Sequence, residues 1–508
     1  MEPSQIGISY HAILPELITS VVAILLMMID AFMRPAERRV SGVVSLLGLA
    51  GAGAALFSLR GQNTTSYMGM IVTDDFRLLF SAIFLIVTAL TVLISIRWID
   101  DEKLPTGEYF SLLMFATTGM LLMASANDLV MVFLGLEITS ISTYVLCGFR
   151  RRDLRSNESA MKYFILGSFS TAFLLYGIAM VYGATYDPVA NPVATTNLQL
   201  IKERINSDQL FSQEMLFAGA AMMIVGFGFK IATAPFHVWS PDVYEGAPTP
   251  VTAFLSTGSK AAAFASFARI FILTFAIGSV GSGISGSGLA DLQEAATKVL
   301  AVMAILTMTI GNLVAIVQTN IKRMLAYSSI AHAGYALVGM VAGDWSSVAF
   351  YLLSYVVINL GAFGVIEVLA RRGDKRTEIS DYAGIGFKSI GLASCLSLFL
   401  LSLAGLPLTA GFMGKLLVFK SAWAAGLYSL VIIGVINSAI SWYYYLRIVV
   451  VMFFSEPDEE FKAPFVARSL IAALVLSIIG TLYLGILPGQ VLNAFEKARD
   501  RITTAVNR

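Results

Sequence analysis

Apolar residues fill this chain in long blocks, with polar residues gathered between them. A helix needs roughly 20 apolar residues to cross a hydrocarbon core of about 30 Å. Blocks that reach or approach this length lie near 11 to 33, 40 to 59, 76 to 96, 108 to 125, 127 to 148, 159 to 183, 214 to 236, 248 to 276, 296 to 318, 324 to 341, 345 to 370, 389 to 421, 427 to 453 and 466 to 487. They predict an all-α polytopic membrane protein of about 14 transmembrane helices. Strands are not expected, because the blocks lack the alternation of a membrane barrel and a helix satisfies its own backbone groups in lipid.

Two blocks are interrupted by proline and glycine: ATAPFHVWSPDVYEGAPTP at 232 to 250 and AGLPLTAGFMGKLL at 404 to 417. They fall in the seventh and twelfth spans. An offset of five means that spans 4 to 8 and 9 to 13 cross the membrane in opposite senses, the pattern of an inverted repeat whose broken helices mark an ion path. The expected organisation is a three-helix segment at 1 to 107, a first five-helix repeat at 108 to 276, a second at 277 to 453, and a C-terminal helix and tail at 454 to 508.

Charge gives the orientation. The odd-numbered connections carry Arg34, Arg38 and Arg39, then Arg97 and Lys103, then Arg150, Arg151, Arg152 and Arg155, then Lys322 and Arg323, then Arg371, Arg372, Lys375 and Arg376. The even ones hold little beyond Arg60, Lys202 and Arg204. By the positive-inside rule the odd connections face the cytoplasm and both termini face the other side, which in a bacterial cell is outside the inner membrane. Lys497, Arg499, Arg501 and Arg508 in the tail pull weakly against this.

Of 508 residues, 57% are hydrophobic and 13% charged, against about a quarter charged in soluble domains. The net charge of +1 gives no sign of a nucleic-acid partner. Cys147 and Cys395 lie far apart inside apolar blocks, so neither a disulfide framework nor a cysteine-held cluster is expected. The opening MEPSQIGISYHAILPELITS lacks the basic region and cleavage site of a signal peptide, and the first apolar block is expected to persist. The sequence contains no GxxxxGK[ST], GxGxxG after a strand, CxxC or HExxH pattern, so no nucleotide or metal site is expected.

The informative residues are charges at membrane depth. Glu137, Lys162, Lys230, Lys260, His332 and Lys415 fall within the blocks, and His237 sits at the edge of the first break. A charge at the bilayer centre costs about 3 kcal/mol or far more, so several in one chain call for a shared reason, and lining a hydrated proton path supplies one. Burial disfavours the charged form of a lysine and a nearby carboxylate favours it, so a Glu and Lys array exchanges protons near neutral pH. Each residue also has a plainer reading. Glu137 serves as half of a structural ion pair; the lysines snorkel to the headgroups; His237 and His332 are hydrogen-bonded fixtures of the helices. Lys260, with roughly ten apolar or small residues on either side, is placed too deep to snorkel. Lys162 stands a few residues from the basic loop, where an interfacial pairing with Glu158 is as good a reading as a relay. Lys415 follows the second break and is the positional counterpart of Lys230. The tyrosines of SWYYYLRIV at 441 to 449 read as packing or a helix-end belt, and EPDEEF at 456 to 461 as a solvated face or a partner contact.

ANDLVMVFLGLEITSISTYVL at 126 to 146, RSNESAMKYFILGS at 155 to 168, FKIATAPFHVWSPDVYEGAPTPVTAFLSTGSK at 229 to 260, IKRMLAYSSIAHAGY at 321 to 335 and GLPLTAGFMGK at 405 to 415 resemble the antiporter-like subunits of respiratory complex I, the proton-pumping NADH:quinone oxidoreductase. The resemblance covers nearly the whole chain, and PDVYEGAPTP and GFMGK favour the N branch over L and M. It implies fourteen helices with paired five-helix inverted repeats and a row of polar residues at mid-membrane. Glu137 and Lys230 form the input pair, Lys260 the central relay and Lys415 the terminal site, with Lys162, His237 and His332 as intermediates. It also implies no cofactor in this chain: NAD, FMN, iron-sulfur clusters and quinone belong to partner subunits. The expected neighbours are the antiporter-like subunit M, the small subunit K and lipid. Related subunits of Mrp-type cation/proton antiporters are the alternative within the class. A self-sufficient secondary transporter is the alternative outside it, and a scaffold with dispensable lysines is a third.

Overall fold

A computed structural model describes residues 7–30, 32, 39–186, 193–207, 209–278, 287–370, 372–456 and 464–506. Arg34, Arg38, Arg371 and Arg508, and the acidic run from Pro457 to Phe461, lie outside them. In chain order the helices are α1 (Leu14–Asp30), α2 (Arg39–Ser58), α3 (Asp75–Glu102), α4 (Thr106–Ser125), α5 (Leu129–Cys147), α6 (Leu154–Ala184), α7 (Leu198–Asn206) and α8 (Gln213–Lys230). Next come α9 (Ser240–Gly246), α10 (Thr249–Phe254), α11 (Lys260–Ala268), α12 (Ser287–Ile316), α13 (Ile321–Val341) and α14 (Trp345–Ala370). The last are α15 (Ile385–Lys388), α16 (Ile390–Ala404), α17 (Ala410–Ala424), α18 (Tyr428–Phe454), α19 (Arg468–Ile486) and α20 (Gly489–Val506).

Ten of these, α2 to α6, α12 to α14, α18 and α19, are long and apolar enough to cross a membrane. Each coincides with an expected block. The other four blocks also form helix, in shorter or broken pieces. α1 has 17 residues. α8 stops at Lys230, where Ala232 takes φ +57 and the Ala234–Pro235 peptide is cis. α10 and α11 form one rod through two π turns, Leu255–Ser259 and Arg269–Thr274. The twelfth block splits into α16 and α17. There Gly405 caps α16 at φ +101 and Pro407 cannot continue it. Gly411 then brings the start of α17 so close to the Ser402 carbonyl that a Cβ would collide with it.

Several elements fall outside the expected blocks, the short α9 and α15 among them. Thr64–Ser66 (β1) pairs antiparallel with Ile71–Thr73 (β2) in a small hairpin. α7 buries Leu198, Ile201 and Ile205 along one stripe, and α20 buries Phe495 and Ala498 while packing on α14 and α3.

Ion pairs gather at two ends of the bundle. At one end Arg150 reaches Glu102 at 3.0 Å and Asp374 at 2.9 Å, and Lys322 reaches Asp374 at 3.0 Å. There too Asp242 takes Lys162 and Arg323, each at 2.7 Å. At the other end Arg77 holds Glu16 at 2.8 Å, Arg269 grips Asp74 at 2.8 and 3.0 Å, and Arg501 meets Asp75 at 3.0 Å. In the expected numbering, the first set lies in or next to odd connections, and the second lies in or next to even connections and the two terminal segments. Burial would raise the Asp374 carboxyl, but Lys322 and Arg150 outweigh it and hold the group well below the usual range. The same contest at Asp74 goes to Arg269.

Candidate functional site: a row of buried cations

Glu137 lies midway along α5, half-buried, and one carboxylate oxygen accepts the Thr171 hydroxyl of α6 at 2.9 Å. Three and seven residues on, Ser140 and Tyr144 share its face of α5. They receive the ammonium of Lys230, at 2.7 Å to Ser140 Oγ and 3.2 Å to the Tyr144 hydroxyl. Lys230 is 6% exposed, and its charge also stands 5.2 and 5.6 Å from the ring centres of Tyr144 and Tyr163. Glu137 and Lys230 therefore face the same strip of α5 without an ion pair within 4.0 Å among the described residues. The carbonyls freed where α8 ends are covered locally: Trp239 Nε1 donates to Phe229 O at 2.9 Å, and Thr233 Oγ1 donates to Gly228 O at 3.1 Å.

Lys260 opens α11 directly after a π turn and is 2% exposed. Its ammonium donates to Ser329 of α13 twice, at 2.6 Å to Oγ and 2.8 Å to the carbonyl. One turn further along α13, His332 is clamped by two phenols, with Nδ1 2.6 Å from the Tyr351 hydroxyl and Nε2 3.2 Å from that of Tyr445. Tyr445 also bonds Ser328 Oγ.

Lys415, 4% exposed, donates to Leu403 O at 2.9 Å, Ala404 O at 3.0 Å and Ser438 Oγ at 3.0 Å, and sits 4.9 Å over the Tyr335 ring. The two carbonyls are orphans at the C-terminal end of α16. The broken helix thus offers the ammonium the negative end of its dipole.

Lys162 and His237 stand apart from this row. Lys162 is half-exposed, paired with Glu158 and Asp242 at 2.7 Å each, and belongs to the ion pairs at one end. His237 lies half-buried in the first break, and its buried Nδ1 has no hydrogen-bond partner among the described residues. Of the two readings of the tyrosines at 443 to 445, packing holds for Tyr444 and Tyr445. Tyr443 is 60% exposed, but Tyr444 and Tyr445 are fully buried within α18, one bonded to Asn312 and the other to His332, so they form no helix-end belt. Sequence reasoning missed Ser329 and Ser438 as acceptors for Lys260 and Lys415, and Tyr351 and Tyr445 as partners of His332, because a hydroxyl in an apolar block gives no sign of the face it shares with a distant charge.

Fold and site together define an antiporter-like membrane subunit. The family model described as NADH:quinone oxidoreductase/Mrp antiporter, TM matches residues 126–441. NADH-quinone oxidoreductase subunit N of Trichlorobacter lovleyi is 44% identical over 494 residues, 97% of each chain. Subunit N 1 of Solibacter usitatus is 44% identical over 489 residues, 96% of each chain. A chain of respiratory complex I from Thermus thermophilus, solved with bound aureothin, superposes with a TM-score of 0.76 at 32% identity, covering 95% of this chain and 99% of that one. A chain of the Mrp complex from Dietzia sp. shares the fold, with a TM-score of 0.82 at 20% identity over 98% of this chain and 99% of that one. The chain belongs to the subunit N family of NADH-quinone oxidoreductase.

Proposed function

We propose that this chain is a proton-translocating membrane subunit of NADH:quinone oxidoreductase. It moves protons outward with energy released by electron transfer from NADH to quinone in partner subunits, which hold the NAD, FMN, iron-sulfur and quinone sites. The path runs from Glu137 and Lys230 through Lys260 and His332 to Lys415, with Lys162 and His237 as secondary relays near the first break. The observation that carries this reading is the company the three deep lysines keep. Each is buried, and among the described residues each bonds only hydroxyls or carbonyls, with no carboxylate within 4.0 Å. Such an ammonium gives up its proton without stranding a counter-charge. A change that moves Glu137 relative to Lys230 alters that lysine's hold on its proton and sends charge toward Lys260 and Lys415 in turn.

The architecture that goes with this is fourteen spans, with inverted repeats at spans 4 to 8 and 9 to 13 inside segments 108–276 and 277–453. It sits in a bacterial inner membrane with both termini outside and with subunits M and K as neighbours. The 44% identity to named subunit N chains, the two helix breaks five spans apart and the parity of the ion pairs support it. The test is proton pumping by the reconstituted complex carrying Lys230→Ala, Lys260→Ala or Lys415→Ala. We expect a reduced H⁺/e⁻ ratio in each, and an undiminished ratio in all three rejects the path. The fold shared with the Dietzia Mrp chain keeps a cation/proton antiporter as the second reading. Co-purification with peripheral redox subunits separates the two.

A further inference from the structure

α14 carries Tyr351, Tyr355 and Asn359 at four-residue spacing, a single face of the helix. The ends of this stripe touch two different parts of the row. The Tyr351 hydroxyl meets His332 Nδ1 at 2.6 Å, and Asn359 Nδ2 donates at 2.7 Å to Ser256 Oγ, four residues before Lys260 on the same rod.

Tyr355 stands between those ends. Its ring lies against the His332 ring, with centroids 5.0 Å apart and planes at 35°. That places it beside the residue that lies one turn along α13 from Ser329, which accepts from Lys260, and that is held at Nε2 by Tyr445. Tyr355 is 4% exposed, yet among the described residues its hydroxyl completes no hydrogen bond. Ser329, Tyr351 and Tyr445 around it are all engaged. A buried hydroxyl left open among satisfied neighbours needs a reason, and two competing partners, one on each side, supply one.

Resting on the proton path above, we propose that Tyr355 is the switching hydroxyl that joins Lys260 to His332 and Lys415. One N–H bond of the Lys260 ammonium breaks. Ser329 Oγ, the Tyr355 oxygen and the Tyr445 oxygen each take one proton and release one, and an N–H bond forms on His332 Nε2. A neutral amine and an imidazolium remain, and no electron moves. Turning the Tyr355 O–H toward Tyr445 makes the connection, and turning it toward Ser329 breaks it.

Tyr355→Phe keeps the ring on His332 and removes only the hydroxyl. In the whole complex reconstituted into liposomes, proton movement through this subunit falls about a hundredfold, the lower end of what a positioned proton-transfer group contributes. H⁺/e⁻ then drops to the level given by Lys260→Ala. Tyr445→Phe gives the same drop, and the double variant is no worse than the poorer single one, because both hydroxyls serve one path. A merely structural role gives additive losses in the amount of assembled complex instead, which overturns the proposal. So does a Tyr355→Phe complex that pumps like the parent while Lys260→Ala does not. If Lys260→Ala itself pumps normally, the path fails first. Should Tyr355→Phe not assemble, Tyr445→Phe decides the matter by the same comparison.

Discussion

Two populations of buried cations coexist in this protein, and they differ in what they touch. Arg77, Arg150, Arg269 and Lys322 at the ends of the bundle each face a carboxylate at 2.8 to 3.0 Å. Lys230, Lys260 and Lys415 along the row face only hydroxyls and carbonyls among the described residues. A cation paired inside a protein is locked, because removing its charge strands a carboxylate, whereas one held by neutral acceptors is free to titrate. On the proposed path, then, burial alone does not mark a working group; the absence of a counter-ion does. Lys322 and Lys260 show this within one chain, since both are almost fully buried, yet only the first sits against Asp374.

Substitutions that exchange the behaviour of the two populations test this contrast. The largest effect is expected from Lys260→Met, which abolishes proton movement through this subunit while the thermal denaturation temperature of the purified complex stays at or above that of the parent. A fall in stability with pumping retained would reverse the assignment. Asp374→Ala leaves Lys322 and part of Arg150 uncompensated and lowers stability by about 3–5 kcal/mol. It should be visible as loss of assembled complex, with H⁺/e⁻ unchanged in whatever assembles. The same carboxyl sets an acid limit. Its folded value lies below the unfolded one of about 3.9, so its contribution is complete above that pH and is lost as pH falls through the depressed folded value. Asp374→Asn should flatten this part of the stability profile. Arg269→Lys keeps the charge but loses the two-pronged grip on Asp74, with an expected loss of about 1.5–3 kcal/mol in denaturation measurements. Lys162→Ala, removing half-exposed pairs, should change stability by less than about 1 kcal/mol.

Much of this was legible in the amino-acid order, because lipid imposes a length rule that apolar blocks obey. All ten long helices coincide with expected blocks, and Gly405 with Pro407 stops α16 where anticipated. Lys230, Lys260 and Lys415 stood out because a charge in an apolar block is conspicuous by itself. Beyond Lys162 with Glu158, the ion pairs between distant segments were not legible. Arg269 and Asp74 are 195 residues apart, Arg150 and Asp374 are 224 apart, and nothing local in either partner names the other. α20 escaped for a different reason: it lies against α3 and α14 through a narrow stripe with Phe495 and Ala498 and carries no apolar block. The role of Tyr445 escaped because three consecutive tyrosines point to different sides of a helix, and only the fold shows which of them turn inward and what each meets.

The π turn ahead of Lys260 makes this stretch of chain a matter of counting rather than of chemistry. Each residue on a helix turns the next by about 100°, so adding or deleting one amino acid within Leu255–Ser259 would swing the ammonium round the rod and away from Ser329. Within those five positions the number of residues is as constrained as Ser256 and Gly258 themselves, because a change in length would part Lys260 from Ser329.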